Sequence, residues 1–210
     1  MDNQFYINTH GLTRAGNTRD LQAIARRWGV QMSAGIWDEL IYEQMGNGPT
    51  LTAAAEALLV QDVSIPPNYM VARRVLGVRA WGKASNAVTT PGTLTIRIRW
   101  GGVAGTVLVA SAALTQNVIV QTDKTWFLMA EIQCITEGTA GSFLTAGSMQ
   151  RGNQAAAVVA DITPDLLPAA SLAAVGSIDT TVIKLLSITA QPSLTTASIT
   201  CMGYQLFSRN

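Results

Sequence analysis

Residues 90–102 read TPGTLTIRIRWGG, and this stretch decides the fold. Apolar side chains occupy alternate positions in it: Leu94, Ile96, Ile98 and Trp100. Because neighbouring side chains of a β-strand point to opposite faces, this set predicts a strand with one buried face. The other face carries Arg97 and Arg99, in a chain of which only 13% of residues are charged. The glycines that follow, as far as Gly105, predict a hairpin turn rather than a phosphate loop, because both flanks have strand character.

Similar runs recur from residue 50 onward, each bounded by Gly, Pro, Asn or Thr clusters. They read TLTAAAEALLV, DVSIP, YMVARRVLGVRAWG, GTVLVAS, NVIVQT, TWFLMAEIQCITEG, GSFLTAGSM, TTVIKLLSITA and ASITCMGYQLFS. About eight to ten short strands with few helical patterns between them predict an all-β, antiparallel sandwich or barrel. We therefore assign residues 47–210 to one β-sandwich domain. Residues 152–177, rich in alanine, are expected to be a long, neutral connection between strands, of the kind that lies against partners.

Residues 1–46 differ from the rest of the chain and are predicted to be an N-terminal arm with one or two short helices. The run TRDLQAIARRWG places apolar residues at helical spacing, and a second run, SAGIWDELIYEQMG, does the same. An extended arm is the competing interpretation of the second run. The first 17 residues show no periodicity and are expected to become ordered by docking on a partner.

The low charge content excludes some functions and favours assembly. A typical domain has about 25% charged residues, so the surface of this chain is expected to consist largely of small neutral residues. Such a surface is expected to be covered in an assembly. Fourteen basic and thirteen acidic residues give a net charge of +1 without any cluster of one sign. Duplex nucleic acid requires a clustered basic surface, and none is evident.

The apolar windows are too short for a spanning helix, and the segment MDNQFYINTHG lacks the pattern of a secretory signal.

Residues suited to catalysis or metal binding are few. His10 is the only histidine, and it has no evident orienting partner. Cys134 and Cys201 lie far apart in strand-like runs, so we expect buried free thiols, with a disulfide requiring that their strands be neighbours. Asp161 and Asp165 flank a proline in the predicted connection, where aspartate more often caps a turn than works as a catalytic pair. We expect no enzymatic activity and no cofactor or metal.

The arginines and the tryptophans are the remaining candidates for functional or packing roles. If the runs around residues 73–79 and 93–100 pair, Arg73, Arg79, Arg97 and Arg99 share one outer face. This face is either solvated or makes contacts with acidic groups across a subunit interface. Trp81, Trp100 and Trp126 are expected in the core or between sheets. Trp28 and Trp37 are expected to anchor the arm, either in a neighbouring subunit or on its own domain.

The order and spacing of the strand-like runs and turns resemble those of a jelly-roll β-sandwich common in structural proteins of tailed bacteriophages. The resemblance covers roughly residues 50–210. It rests on the IP dipeptide at residues 65–66, the RAWG strand at 79–82, the TPGTLTIRIRWGG stretch and the closing strand ASITCMGYQLF. The resemblance implies a trimer on a capsid or fibre, built in the host cytoplasm.

The sequence and the resemblance together predict a virion structural protein, a homotrimer that decorates or cements a phage head by binding the major capsid protein or other virion proteins. Nucleic acid and membrane are not expected partners. The alternatives are a head or tail appendage, such as a receptor-binding module, and a carbohydrate-active sandwich. Candidate capsid-docking residues lie in the arm: Arg14, Arg19, Arg26, Arg27, Trp28 and Trp37.

Overall fold

A computed structural model of the chain describes residues 38–87, 92–116, 120–153 and 161–209. These residues belong to one compact unit, Trp37–Asn210. They contain no helix and form fourteen strands: β1 (Asp38–Met45), β2 (Thr50–Leu51), β3 (Ala57–Leu58), β4 (Val63–Ile65), β5 (Val75–Asn86), β6 (Thr93–Trp100), β7 (Thr106–Ala110), β8 (Leu114–Thr115), β9 (Gln121–Thr136), β10 (Gly141–Asn153), β11 (Asp161–Leu167), β12 (Val175–Ile178), β13 (Lys184–Pro192) and β14 (Ala197–Arg209).

The strands form two antiparallel sheets. Sheet A has the order β1-β14-β5-β9-β10-β11, with β12 paired to β10 and β2 paired to β14. Sheet B has the order β3-β13-β6-β7, with β4 on β13 and β8 on β6. The predicted all-β, antiparallel sandwich is confirmed. The strand count exceeds eight to ten because several strands have only two to four residues.

The core lies between the sheets and contains the apolar set of residues 94–100. Leu94, Ile96, Ile98 and Trp100 are all buried. The Trp100 ring meets Phe143 of sheet A edge-on, with ring centroids 5.0 Å apart and planes at 90°, a favourable aromatic geometry that joins the two sheets. The predicted hairpin turn between β6 and β7 is confirmed: Gly101 and Gly102 have φ of +104° and +86°, which favour glycine.

Residues 38–45 are a strand, so the helix predicted across them is wrong. β1 pairs with β14 from Asp38↔Arg209 to Met45↔Gly203, with an irregularity between Leu40 and Tyr42. Ile41 and Tyr42, adjacent in sequence, both pack against the core. A helix would place Leu40 and Ile41 on one face, whereas in β1 Leu40 is 49% exposed and Ile41 packs against the core. The helix over TRDLQAIARRWG and the rest of the predicted arm lie outside the described residues.

The connection predicted at residues 152–177 also contains structure that the sequence did not indicate. β11 extends sheet A by pairing with β10, from Gly147↔Leu167 to Asn153↔Asp161, and β12 pairs with the start of β10. Asp161 and Asp165 are therefore strand residues and not turn caps. Conversely, the strand predicted over residues 50–60 is broken: β2 joins sheet A and β3 joins sheet B, so this segment crosses between the sheets.

Candidate assembly surface

The described residues bring together no group of three His, Cys, Asp or Glu side chains that could hold a metal ion. No described segment forms a helix with the length and apolar character of a membrane crossing. Asp165 forms an ion pair with Arg151 at 3.7 Å, and both side chains are largely buried. His10 lies outside the described residues.

Arg97 and Arg99 are bound inside the chain by Glu56. Arg99 donates from Nε to Glu56 Oε1 at 2.6 Å and from Nη2 to Oε2 at 2.7 Å. Arg97 donates from Nη1 to Glu56 Oε2 at 3.1 Å, and the buried hydroxyl of Thr189 also donates to Glu56. The hydrogen bond from Arg99 lowers the pKa of Glu56, although desolvation opposes it. This cluster accounts for the arginines on the outer face of β6.

We call residues 52–62, which carry Glu56, the strap. Ser187 of β13 donates to Asp62 at the end of the strap, and Gln191 of β13 donates from Nε2 to the Ala54 carbonyl of the strap at 3.4 Å. The strap therefore covers the outer face of sheet B with charge-assisted hydrogen bonds. The sequence analysis did not identify Glu56 as the partner of the arginines. The available signal was its position as the one acid within the apolar run TLTAAAEALLV.

The two arginine-bearing runs do not pair, so the condition for a shared arginine face is not met. Arg79 lies on β5 in sheet A, whereas Arg97 and Arg99 lie on β6 in sheet B. Arg73 lies in the turn before β5 with a φ of +75°, and its backbone N–H donates to the Cys134 carbonyl at 2.8 Å. The four arginines therefore do not share a face, and their proposed role at a subunit interface stays a prediction.

The outer face of sheet A carries a row of aromatic residues. Arg79 places its guanidinium over the Phe207 ring, 4.9 Å from the centroid. Trp81, two residues along the same face of β5, stacks on Phe127 with centroids 6.5 Å apart. The expectation of a core position is confirmed for Trp100 and Trp126 but is wrong for Trp81, which is half-buried on this outer face.

A groove of about 420 Å³ runs across the same face. It crosses five strands, and its lining includes Gly77, Met129, Ala146, Leu166 and Phe207. Register places Arg79 opposite Met129, Met129 opposite Ser148, and Ser148 opposite Leu166. Leu166 is 72% exposed and Met129 is 44% exposed. Exposed apolar groups that surround a concavity on a rigid sheet are typical of an interaction surface.

An ion pair closes one end of the groove. Arg209 donates from Nη1 to Glu131 Oε1 at 2.7 Å, and both residues line the cavity. Arg79, by contrast, has no carboxylate within ion-pairing distance among the described residues. The groove therefore combines an apolar lining with two arginines: Arg209 is paired with Glu131, and Arg79 lies over the Phe207 ring.

The two cysteines are buried free thiols, as the sequence predicted. They lie on β9 and β14, which are separated by β5 in the strand order of sheet A. Burial raises the pKa of both thiols. A buried thiol with a raised pKa forms little thiolate, and both cysteines pack in the core.

The candidate docking residues of the arm, Arg14, Arg19, Arg26, Arg27, Trp28 and Trp37, lie outside the described residues. Comparisons with protein-family models, with curated proteins and with solved structures found no match for this chain.

Proposed function

We propose that this chain is a virion structural protein: a non-enzymatic jelly-roll subunit that forms homotrimers and decorates or cements the head of a tailed bacteriophage. The observation that carries the proposal is the apolar outer face of sheet A, with its preformed groove and exposed Met129 and Leu166. A solitary soluble protein seldom leaves such a face open. Assembly on a larger particle covers it.

Strand order supports the jelly roll within this proposal. A jelly roll winds eight strands through two sheets as two Greek keys. The first strand lies beside the last, the last beside the third, and the third beside the sixth. Here β1-β14-β5-β9 has this order, if the short β3 and β4 together are counted as the second strand and the two-residue strands β2 and β8 are not counted. With the same count, sheet B contains the second, seventh, fourth and fifth strands in that order: β3 with β4, then β13, β6 and β7. β10, β11 and β12 are additions that widen sheet A, and β10 and β11 line one side of the groove.

The charge distribution supports a binding role rather than a solvated surface. Arg97 and Arg99, on the outer face of sheet B, are held by Glu56 within the chain. Surface charge that would keep copies apart is thereby reduced, and self-association is favoured. The expected partners are further copies of the chain and the major capsid protein, and the expected location is the virion.

Two measurements on the full chain test the proposal. Light scattering coupled to gel filtration is expected to give three times the 22.3 kDa chain mass. Sedimentation with capsids assembled without this chain is expected to give saturable binding at a copy number comparable to the major shell protein. A monomer at high concentration that fails to bind capsids contradicts the proposal.

A head or tail appendage that binds a receptor is the second candidate, and the Trp81–Phe127 stack favours it. Two stacked rings next to a groove resemble the platforms on which proteins stack sugar rings. Binding of the isolated protein to a glycan array, together with about a dozen or fewer copies per virion, would select this candidate over head decoration.

A further inference from the structure

The floor of the groove contains a glycine that the fold does not require. A Cβ at Gly77 would lie 3.8 Å from Cβ of Phe207, which is an ordinary contact, and the backbone there is not in the left-handed region. Glycine in a strand interior weakens the strand and often marks a close approach by another group. In contrast, Cβ at Gly147 would overlap the Met129 carbonyl oxygen and lie 2.8 Å from the Ala130 Cα. Gly147 therefore serves packing, whereas Gly77 keeps the groove open.

A rigid apolar tip projects elsewhere on the same chain, in the loop between β12 and β13. Ile183 is 63% exposed and Val182 is 43% exposed. The loop before them is well tied: Asp179 accepts hydrogen bonds from the Thr181 N–H at 2.9 Å and from its hydroxyl at 2.7 Å. The hydroxyl of Thr180 accepts from the Gly138 N–H at 2.9 Å. An ordered loop that presents aliphatic side chains to water is prepared for a partner, because little conformational entropy is left to lose on binding.

We propose that the groove of one copy receives the tip, residues 182–183, of a second copy; this inference rests on the self-association in the proposed function. Val182 and Ile183 fit the apolar lining between Met129 and Leu166. Asp179, at the base of the tip, supplies a carboxylate to Arg79, which has none within ion-pairing distance among the described residues of its own chain. The contact thus covers the exposed apolar surface and gives the Arg79 guanidinium a carboxylate partner.

This contact is heterologous, because tip and groove are different surfaces of the same chain. Such contacts close into a ring when the rotation between copies permits, and otherwise extend into a filament. Each copy in a closed trimer uses one groove and one tip. All three copies then cover the exposed face of sheet A and leave sheet B, with its strap, outside this contact.

Cysteine cross-linking tests the contact directly. Two full-length variants, Ile183→Cys and Leu166→Cys, are purified reduced, and the first carries a size tag. Mild oxidation of the mixture is expected to yield a disulfide-linked dimer of one tagged and one untagged chain. Each variant alone is expected to yield little, because a heterologous contact brings residue 183 close to 166 and not to another 183. The native thiols are buried and do not compete.

The matched control replaces Leu166→Cys by Met45→Cys, which is equally exposed at 72% but lies on β1 and does not line the groove. No mixed dimer is expected with it. A wild-type trimer whose 166–183 pair fails to cross-link overturns this inference while leaving the proposed function standing. A wild-type monomer overturns both. Cross-linking of Leu166→Cys to itself alone indicates a face-to-face dimer and also overturns the inference.

Filling the groove provides an independent readout. Gly77→Val is expected to weaken self-association at least tenfold without lowering the midpoint of urea unfolding, because valine favours strands. Gly176→Val is the control: Gly176 lies in β12 with open space around it, and association should not change. Ile183→Lys, which places a second cation near Arg79, should weaken association to a similar extent. Unchanged association in both Gly77→Val and Ile183→Lys contradicts the proposal.

Discussion

Arg99 binds Glu56 through two parallel hydrogen bonds, Nε to Oε1 at 2.6 Å and Nη2 to Oε2 at 2.7 Å. The pair joins the middle of sheet B to a strap 43 residues earlier in the chain. Only 15% of the Arg99 side chain and 17% of the Glu56 side chain are exposed. Bidentate geometry with low exposure makes this pair stronger than an ordinary surface ion pair. It adds a charge-assisted contact to the pairing of β3 with β13 that also holds the strap on sheet B.

Replacing Glu56→Gln is expected to lower the free energy of unfolding by about 2 kcal/mol, because Arg97 and Arg99 lose their shared carboxylate while remaining partly buried. Urea unfolding followed by tryptophan fluorescence measures the change. The control is Asp123→Asn, which breaks the exposed Lys83–Asp123 pair and should cost less than about 1 kcal/mol. Equal effects of the two substitutions would show that the strap pair has no special strength.

Stability should depend on pH through the same carboxyl. The pKa of Glu56 is lowered from 4.5 in the folded chain, so the folded state prefers the ionised form. The stabilisation is therefore complete above pH 4.5 and is lost as the pH falls through the lowered folded value. Hydrogen bonds from Thr181 also lower the pKa of Asp179. Asp179 therefore also makes the folded chain less stable as the pH falls. The difference between wild type and Glu56→Gln isolates the contribution of Glu56: it should shrink as acid is added, and a constant difference would contradict the assignment.

The sequence predicted the fold class because alternation is a local property. Leu94, Ile96 and Ile98 indicate a strand regardless of what lies opposite, and two faces of different polarity require a sandwich or barrel. The helix predicted over the run SAGIWDELIYEQMG, residues 33–46, is wrong where the structure describes it, at residues 38–45. Apolar spacing placed Leu40 with Ile41 on one face, but pairing with β14 extends the backbone and leaves Leu40 49% exposed.

The candidate site depends on relationships that are not local. Glu56 meets Arg99 because the strap crosses from one sheet to the other, and Leu166 joins the groove because β11 pairs with β10. Neither pairing is encoded in the spacing of the residues concerned. Arg79 and Arg97 lie in consecutive strands, yet the chain changes sheets between them. Sequence reasoning identified the arginines as notable but not their partners.

Two glycines of one strand should respond oppositely to the same substitution. At Gly82, a Cβ would overlap the Thr200 carbonyl oxygen and lie 2.9 Å from the Cys201 Cα. Gly82→Ala is therefore expected to destabilise the fold by about 1–3 kcal/mol through overpacking. Gly77→Ala meets only ordinary contacts and should be neutral or stabilise by up to about 1 kcal/mol. Thermal and urea unfolding of both variants check the prediction, and a loss of stability in Gly77→Ala comparable to that in Gly82→Ala would contradict it.

Removal of residues 1–36 should separate folding from capsid docking. The deletion leaves β1 intact, and β1 supplies the edge of sheet A through its pairing with β14. We therefore expect the shortened chain to keep the circular dichroism of a β-protein and a cooperative unfolding transition. If the arm carries the docking residues, the shortened chain no longer sediments with capsids. A full-length variant with Trp28→Ala and Arg27→Ala, in which no residue of the sandwich is changed, serves as the finer test and should bind more weakly than wild type. Saturation of bare capsids by the shortened chain would place the docking surface on the sandwich itself and remove the arm from the mechanism.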